Sequence, residues 1–122
     1  MSTAVPGHLL PHTVTLIRPV QVTDAYGSTD YDYGPAATRT PIRAWLQQNI
    51  RRELSGVSQD GRITQDERWL LVTNHPDVRP LDRFEWTGPT GPLLFETDGP
   101  PAPTYTPRGL HHTEVALAII TG

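Results

Sequence analysis

Asp30 and Asp32, followed by Gly34, carry the first spacing in this chain that could do chemistry, because alternate carboxylates before a glycine resemble the start of a calcium-binding loop. The twelfth position counted from Asp30 should then be a bidentate glutamate, and it is Pro41. No helix is predicted on either side of the segment. The spacing therefore does not predict a calcium site.

The five histidines are the second group with metal-binding chemistry. His111 and His112 are adjacent in a predicted strand, where successive side chains point to opposite faces, so we do not expect them to chelate one ion. His8, His12 and His75 lie near turns or termini. We predict neither a metal site nor a bound cofactor.

Catalytic motifs are also missing from the sequence. It contains no G-x-S-x-G nucleophile elbow, no G-x-G-x-x-G fingerprint and no Walker motif. Cysteine is absent, which excludes disulfides, zinc fingers and thiol nucleophiles. Carboxylate pairs form in space rather than in sequence, but solvent exposure is the simpler explanation for the glutamates at alternating strand positions, Glu67, Glu85, Glu96 and Glu114. We expect a protein that is not an enzyme.

Length and charge limit the remaining classes of protein. The 122 residues are typical of one domain, and the formal net charge of −3 speaks against a dedicated nucleic-acid binder. The longest apolar run, residues 115–120, is far shorter than the roughly 20 residues of a membrane span. No basic residue precedes Arg18, so a signal peptide is not predicted and synthesis in the cytoplasm is expected.

Alternating apolar residues predict strands along most of the chain. In residues 12–18 the apolar side chains on one face are Val14 and Leu16, and in residues 38–48 they are Ile42, Ala44 and Leu46. Pro41 restricts the second strand to the edge of a sheet or places the proline at the beginning of that strand. Further strands are predicted at 67–73, 83–87, 93–98 and 111–121, with core positions for Trp45, Trp69 and Trp86. Residues 99–107 are rich in proline and are predicted to be a rigid surface connection. The fold class is all-β: a small antiparallel β-barrel or sandwich of about six strands.

Three segments extend this single domain, 1–122. Residues 1–11 are predicted to be a mobile arm that orders only against a partner, and 19–37 a long loop. Residues 49–66 favour a hairpin arm with its tip near Asp-Gly at 60–61, and a short helix remains the alternative. The three tyrosines in 19–37 favour a contact loop over a linker, because tyrosine gives a large contact area at low entropic cost, and a merely solvated loop remains the alternative. The candidate partner or channel contacts are Tyr26, Asp30, Tyr31, Asp32, Tyr33, Arg51, Arg52 and Asp60.

Five segments in order resemble the head-to-tail stopper (head-closure) proteins of long-tailed phages that infect actinobacteria: HTVTLIRP, RTPIRAWLQQ, DERWLLVT, DVRPLDRFEWTG and GLHHTEVALAII. The match runs from His12 to Ile120. All ten basic residues are arginine, which agrees with a GC-rich host.

The resemblance implies a β-barrel subunit of the virion neck that needs no cofactor. Such subunits form a ring, six- or twelve-fold, on the portal and adaptor proteins after packaging, retain the double-stranded DNA that passes through the channel, and dock the tail. The contacts of the segments 20–37 and 49–66 are not carried over. Asp30 and Asp32 could line the channel, where negative charge would repel DNA.

Two other interpretations stay open. A tail terminator, or another protein that joins head and tail, would have a similar size and β architecture. A soluble nucleic-acid-binding β-barrel module should carry a basic groove with interleaved aromatic residues, and the only adjacent basic pair here is Arg51-Arg52.

Overall fold

The described residues form an antiparallel β structure with one short helical turn. The computed structural model describes residues 4–53 and 64–120, and it describes side chains for 4–48 and 68–120. Its elements in chain order are a 3-10 turn at Gly7–Leu9, β1 His12–Arg18, β2 Val20–Thr23, β3 Thr29–Asp32, β4 Thr38–Glu53, β5 Thr64–Thr73, β6 Arg83–Gly88, β7 Gly91–Thr97, β8 Ala102–Thr106 and β9 Gly109–Ile119.

Six strands form a closed barrel in the order β5-β4-β1-β6-β7-β9, and β9 pairs back with β5. The extra strand β8 extends the sheet from β9, and β2 pairs with β3 in a separate two-stranded sheet. All pairings are antiparallel. The small antiparallel β-barrel predicted from the alternating pattern is therefore confirmed.

The core fills the inside of the barrel with the inward positions of every barrel strand. Its buried members are Val14, Leu16, Ile42, Ala44, Leu46, Leu71, Phe84, Phe95, Val115 and Leu117. These include the positions predicted to face inward on the first two strands. Trp69 and Trp86 pack against this core as predicted, and the Trp69 ring lies 5.2 Å from that of Phe95, centroid to centroid. Trp45 does not: it faces outward and is 48% exposed, so its predicted core position is wrong.

Pro41 lies near the beginning of β4, as predicted, opposite Thr15 of β1. On the other side of β4, pairing with β5 begins only at Ala44, opposite Thr73. The missing N–H of Pro41 therefore lies in the part of β4 that has a single neighbouring strand.

The segment 19–37 is not a loop, because β2 and β3 form a hairpin within it. The two strands are short and polar, so their alternating pattern was not recognised in the sequence. Residues 99–107 also differ from the prediction, since β8 pairs with β9 and Pro103 lies opposite Thr113. An outermost strand tolerates proline because one of its edges needs no backbone donors.

Residues 4–11 lie against the barrel rather than forming an arm that orders only against a partner. The N–H of Val5 donates to the carbonyl of His111 at 2.8 Å, and the Asn74 amide donates to the carbonyl of Val5 at 3.1 Å. Leu10 is only 1% exposed. Burial of this leucine holds the segment against the barrel. The proline and glycine residues around it led to the prediction of a mobile arm.

Beyond the barrel, β4 and β5 continue as a pair from Asn49 opposite Arg68 to Glu53 opposite Thr64. The two stems of the predicted hairpin arm 49–66 are thus strands, and the helical alternative does not apply to them. The predicted tip, with Asp60, lies outside the described residues, as do the side chains of Arg51 and Arg52.

Candidate interaction surface

A tight turn, Asp24 to Ser28, shapes the tip of the β2–β3 hairpin. The Asp24 carboxylate accepts hydrogen bonds from the backbone N–H groups of Tyr26 and Ser28, each at 2.9 Å. Gly27 has a φ of 81°, a conformation that glycine adopts without steric cost. Aspartate at the start of the turn and glycine before its end are the sequence signal that would have identified the hairpin.

Tyr33 fixes the base of the hairpin to the barrel. Its hydroxyl donates to the carbonyl of Leu81 at 2.5 Å, and the Arg83 guanidinium carbon lies 3.6 Å from the centre of its ring. Burial raises the pKa of the Tyr33 phenol above its ordinary value, although the nearby Arg83 charge acts in the opposite direction. Tyr33, predicted as a partner contact, is engaged by its own chain.

Arg39 holds the connection between β3 and β4. Its guanidinium donates to three backbone carbonyls, those of Tyr33 at 2.9 Å, Gly34 at 3.0 Å and Ala37 at 3.3 Å. The Asp32 carboxylate accepts from the N–H of Gly34 at 2.8 Å. These bonds give the hairpin a fixed direction at its base.

An ion-pair network closes the same end of the barrel. Arg18 donates to both carboxylate oxygens of Asp82, at 3.1 and 2.9 Å, and the N–H of Arg79 donates to Asp82 at 2.8 Å. Arg18 also bonds the half-exposed Asp77. The hydrogen bond to Asp82 is the main reason that the pKa of Arg18 is raised, and bonds from Arg79 and Arg18 lower the pKa of Asp77.

The two faces of the hairpin have different surroundings. Gln21 and Tyr31 form a cross-strand pair and line a groove of about 410 Å³ together with Arg79, Pro80 and Leu81. This face is therefore turned towards the barrel. The opposite face carries Val20, Val22, Asp30 and Asp32, and the depression on it is lined by hairpin residues alone. We call this outward face the valine face.

A second groove, of about 570 Å³, lies on the outer wall of the barrel. Trp45 and Gln47 from β4, Leu70 and Val72 from β5, and Leu9 from the N-terminal segment give it a mainly apolar lining. We call it the Trp45 groove. The signal for it was present in the sequence: β5 carries apolar residues on both faces, whereas a strand with one solvated face alternates.

His111 and His112 border this groove, and the prediction that they point apart is wrong. Their Nδ1 atoms are 2.7 Å from each other, and the rings meet edge to face. Thr104 pairs with His112 and Tyr105 with Leu110, so His111 is the extra residue of a β-bulge. A bulge redirects side chains that would otherwise alternate. Glu114 lies 3.5 Å from Nε2 of His112. Among the side chains described, those of residues 4–48 and 68–120, no three metal-ligating groups come together.

The predicted contact residues therefore separate into three groups. Tyr26, 94% exposed, and Tyr31, Asp30 and Asp32 lie together on the hairpin. Tyr33 is an anchor at its base. Arg51, Arg52 and Asp60 lie where no side chain is described. Trp45 and Leu9 were not predicted as surface contacts.

Most arginines with described side chains are engaged within the chain. Five of them bind carboxylates, carbonyls or an aromatic ring: Arg18, Arg39, Arg68, Arg79 and Arg83. They are consequently not arranged as a basic groove for phosphate groups.

Comparison with protein-family models gives no match for this chain, and a search of the curated proteins gives none either. In the described part of the chain, no helix has the length and hydrophobicity needed to cross a membrane.

Proposed function

We propose that the chain is a structural subunit of a phage neck, a head-to-tail stopper that forms a ring between the portal and adaptor proteins and the tail. The valine face carries this proposal. Val20 and Val22 are 39% and 46% exposed on a hairpin whose other face is the one turned to the barrel. An isolated two-stranded ribbon is marginal in water, so a partner surface is expected to cover it.

A subunit of this shape suits a ring. The barrel supplies a rigid body, and the short β2–β3 hairpin and the long β4–β5 pair extend the surface available to neighbours. Heterologous contacts generate closed rings when the rotation between copies closes. In the proposed virion the ring is homo-oligomeric, six- or twelve-fold, and packaged DNA passes through its centre. This function involves no catalysis and no cofactor.

The resemblance described from the sequence supports the stopper over the tail terminator, and the architecture fits either. The nucleic-acid-binding module is less favoured because five of the seven arginines with described side chains are bound within the chain. Such a module would leave a row of free cations next to exposed aromatic rings.

The test is an amber codon at Trp45 in the phage genome that carries this gene, with electron microscopy of the lysate. We expect free tails of normal length beside heads that have lost their DNA. Tails of uncontrolled length beside filled heads would instead indicate a tail terminator. Normal infectious particles would contradict both. An amber-suppressor host that inserts tryptophan is the matched control and should restore whole virions.

A further inference from the structure

The valine face combines apolar and acidic groups without a basic one. Val20 pairs across the hairpin with Asp32, and Val22 with Asp30, so each valine has a carboxylate beside it. Within the described residues no cation pairs with either aspartate; their recorded bonds are to nearby backbone N–H groups. A surface that covers this face must be apolar and must supply positive charge.

The Trp45 groove supplies the apolar surface, and Arg43, which lies next to Trp45 on the same strand, supplies the positive charge. The one carboxylate in the groove lining, Glu114, lies 3.5 Å from Nε2 of His112. Trp45 is 48% and Leu9 55% exposed, and Leu70 and Val72 extend the apolar surface between them. Arg43 lies two residues before Trp45 on the same outward face of β4 and is exposed. Its guanidinium has no ion pair with any described residue. An exposed tryptophan beside an uncompensated arginine is a composition enriched at protein interfaces.

The hairpin of a chain is far from the groove of the same chain. The hairpin leaves the barrel next to Arg18, which pairs with Thr38, whereas Trp45 follows Ala44, which pairs with His12. These are opposite ends of one ladder, about 20 Å apart at about 3.4 Å per residue. The Trp45 groove, which fits the valine face, therefore lies at the opposite end of the molecule from the hairpin.

We infer that the β2–β3 hairpin of one copy docks in the Trp45 groove of the next copy. Val20 and Val22 cover Trp45 and Leu9, and the aspartates approach Arg43. The contact is heterologous, because it joins two different surfaces of successive copies. Repetition of this contact around an axis closes the ring. This inference rests on the proposed function, since it names the partner through which that ring assembles.

Disulfide crosslinking tests the contact, because the chain has no cysteine and each introduced one is unique. Val22→Cys and Trp45→Cys are made in separate chains, mixed at high concentration with heads that lack the protein, and oxidised. We expect a covalent dimer in the mixture and in neither variant alone. A chain with both substitutions should give a ladder of oligomers that ends at the ring number, since the bond forms only where the two Cβ atoms are close.

The matched control replaces Tyr105, an exposed aromatic residue on β8, instead of Trp45. Val22→Cys mixed with Tyr105→Cys should give no dimer. Dimers of Val22→Cys alone would overturn the inference, because they would place two hairpins against each other. Absence of the mixed dimer on heads that nonetheless carry rings would overturn it too.

The two proposals fail differently. Rings without the crosslink contradict only the docking contact and leave the stopper role intact. Failure of the purified wild-type chain to bind heads that lack it, and to restore tail attachment, contradicts the proposed function, whether or not crosslinking succeeds in free solution.

Discussion

Arg18 and Asp82 form a two-point ion pair in which Nε and Nη2 of the arginine donate to the two carboxylate oxygens at 3.1 and 2.9 Å. Asp82 is 1% exposed, and it also accepts the N–H of Arg79. Its own carbonyl accepts from the Thr97 hydroxyl at 2.7 Å. The segment RPLDR thus ties β1, β6 and β7 together where the β2–β3 hairpin leaves the barrel.

Replacement of Asp82 by alanine should lower the free energy of unfolding by about 3 kcal/mol, because removing one partner of a buried pair leaves a charge and a backbone N–H uncompensated. This loss of stability is at the lower end of the range for buried ion pairs, because Arg18 is partly exposed and still has its ion pair with Asp77 in the variant. Urea unfolding measures it. Asp77→Asn is the control and should cost much less, because this carboxylate is half exposed and water screens its ion pairs. Equal losses in both variants would refute the role given to burial.

Tyr33→Phe should lower stability by about 1 kcal/mol, because the ring stays on Arg83 but the bond to the carbonyl of Leu81 is lost. Amide hydrogen exchange should rise across 20–32 more than in the barrel. Tyr26→Phe, at a side chain that is 94% exposed, should change neither quantity. Unchanged exchange in Tyr33→Phe would show that the hairpin is held by other contacts.

Alkaline pH should loosen the same hairpin. Burial raises the pKa of Tyr33, so the folded protein favours the neutral phenol. The resulting stabilisation is complete below the ordinary tyrosine pKa of about 10 and is lost as pH rises through the raised value. The Tyr33→Phe variant should lack this part of the alkaline loss in stability.

His12→Ala should lower stability by about 1–3 kcal/mol. The Nδ1 atom of His12 accepts the backbone N–H of Leu46 at 3.0 Å, and alanine leaves that part-buried donor without a partner. The ring also meets Trp86 edge to face, at 5.2 Å between centroids. His8→Ala, at an exposed position, should have little effect in the same thermal unfolding assay. If His12→Ala unfolds at the same temperature as the wild type, the backbone N–H of Leu46 must be hydrogen-bonded to water in the variant.

Gly88→Ala should be destabilising by about 1–3 kcal/mol, since a Cβ at this position would lie 2.8 Å from the Trp86 ring. Trp86 packs against Trp69 and has little freedom to move away. Tryptophan fluorescence and thermal unfolding report the change. At Gly7 an added Cβ meets nothing within 4 Å, so Gly7→Ala is the matched control. Similar results for the two variants would show that Trp86 relaxes freely.

The proposed docking contact predicts that Asp30→Asn combined with Asp32→Asn weakens ring assembly a few-fold, with less dependence on salt, because exposed ion pairs contribute about 0.2–1 kcal/mol each. Sedimentation at two salt concentrations measures this. The channel hypothesis for these carboxylates predicts another outcome: intact rings with altered DNA retention. Unchanged assembly and unchanged retention would exclude both roles.

Alternation was enough to predict most of the barrel strands, because inward residues such as Val14 and Leu46 recur at every second position, whereas β5 was predicted from its apolar density. Alternation did not predict the features that depend on contacts between distant parts of the chain. Proline is compatible with β8 only because β8 is outermost, and the bulge at His111 depends on the register of its partner strand. Neither condition can be read from the segment itself.

The candidate surface was predicted in part. The exposed tyrosines and aspartates of the hairpin were identified from composition, whereas Tyr33 could not be recognised as an anchor because Leu81 and Arg83 are distant in sequence. Trp45 was assigned to the core because tryptophan is usually buried. Its place among outward residues follows from the alternation with Ala44 and Leu46.

The position of β9 in the chain sets the order in which the molecule can form. β9 pairs with β5, β7 and β8, all of which precede it. During synthesis one edge of β5 and one edge of β7 therefore stay unpaired until β9 has left the ribosome, and the pairings of β9 with these two strands are non-local. Nascent chains expose two strand edges in this interval, which is when a chaperone would be most useful to them.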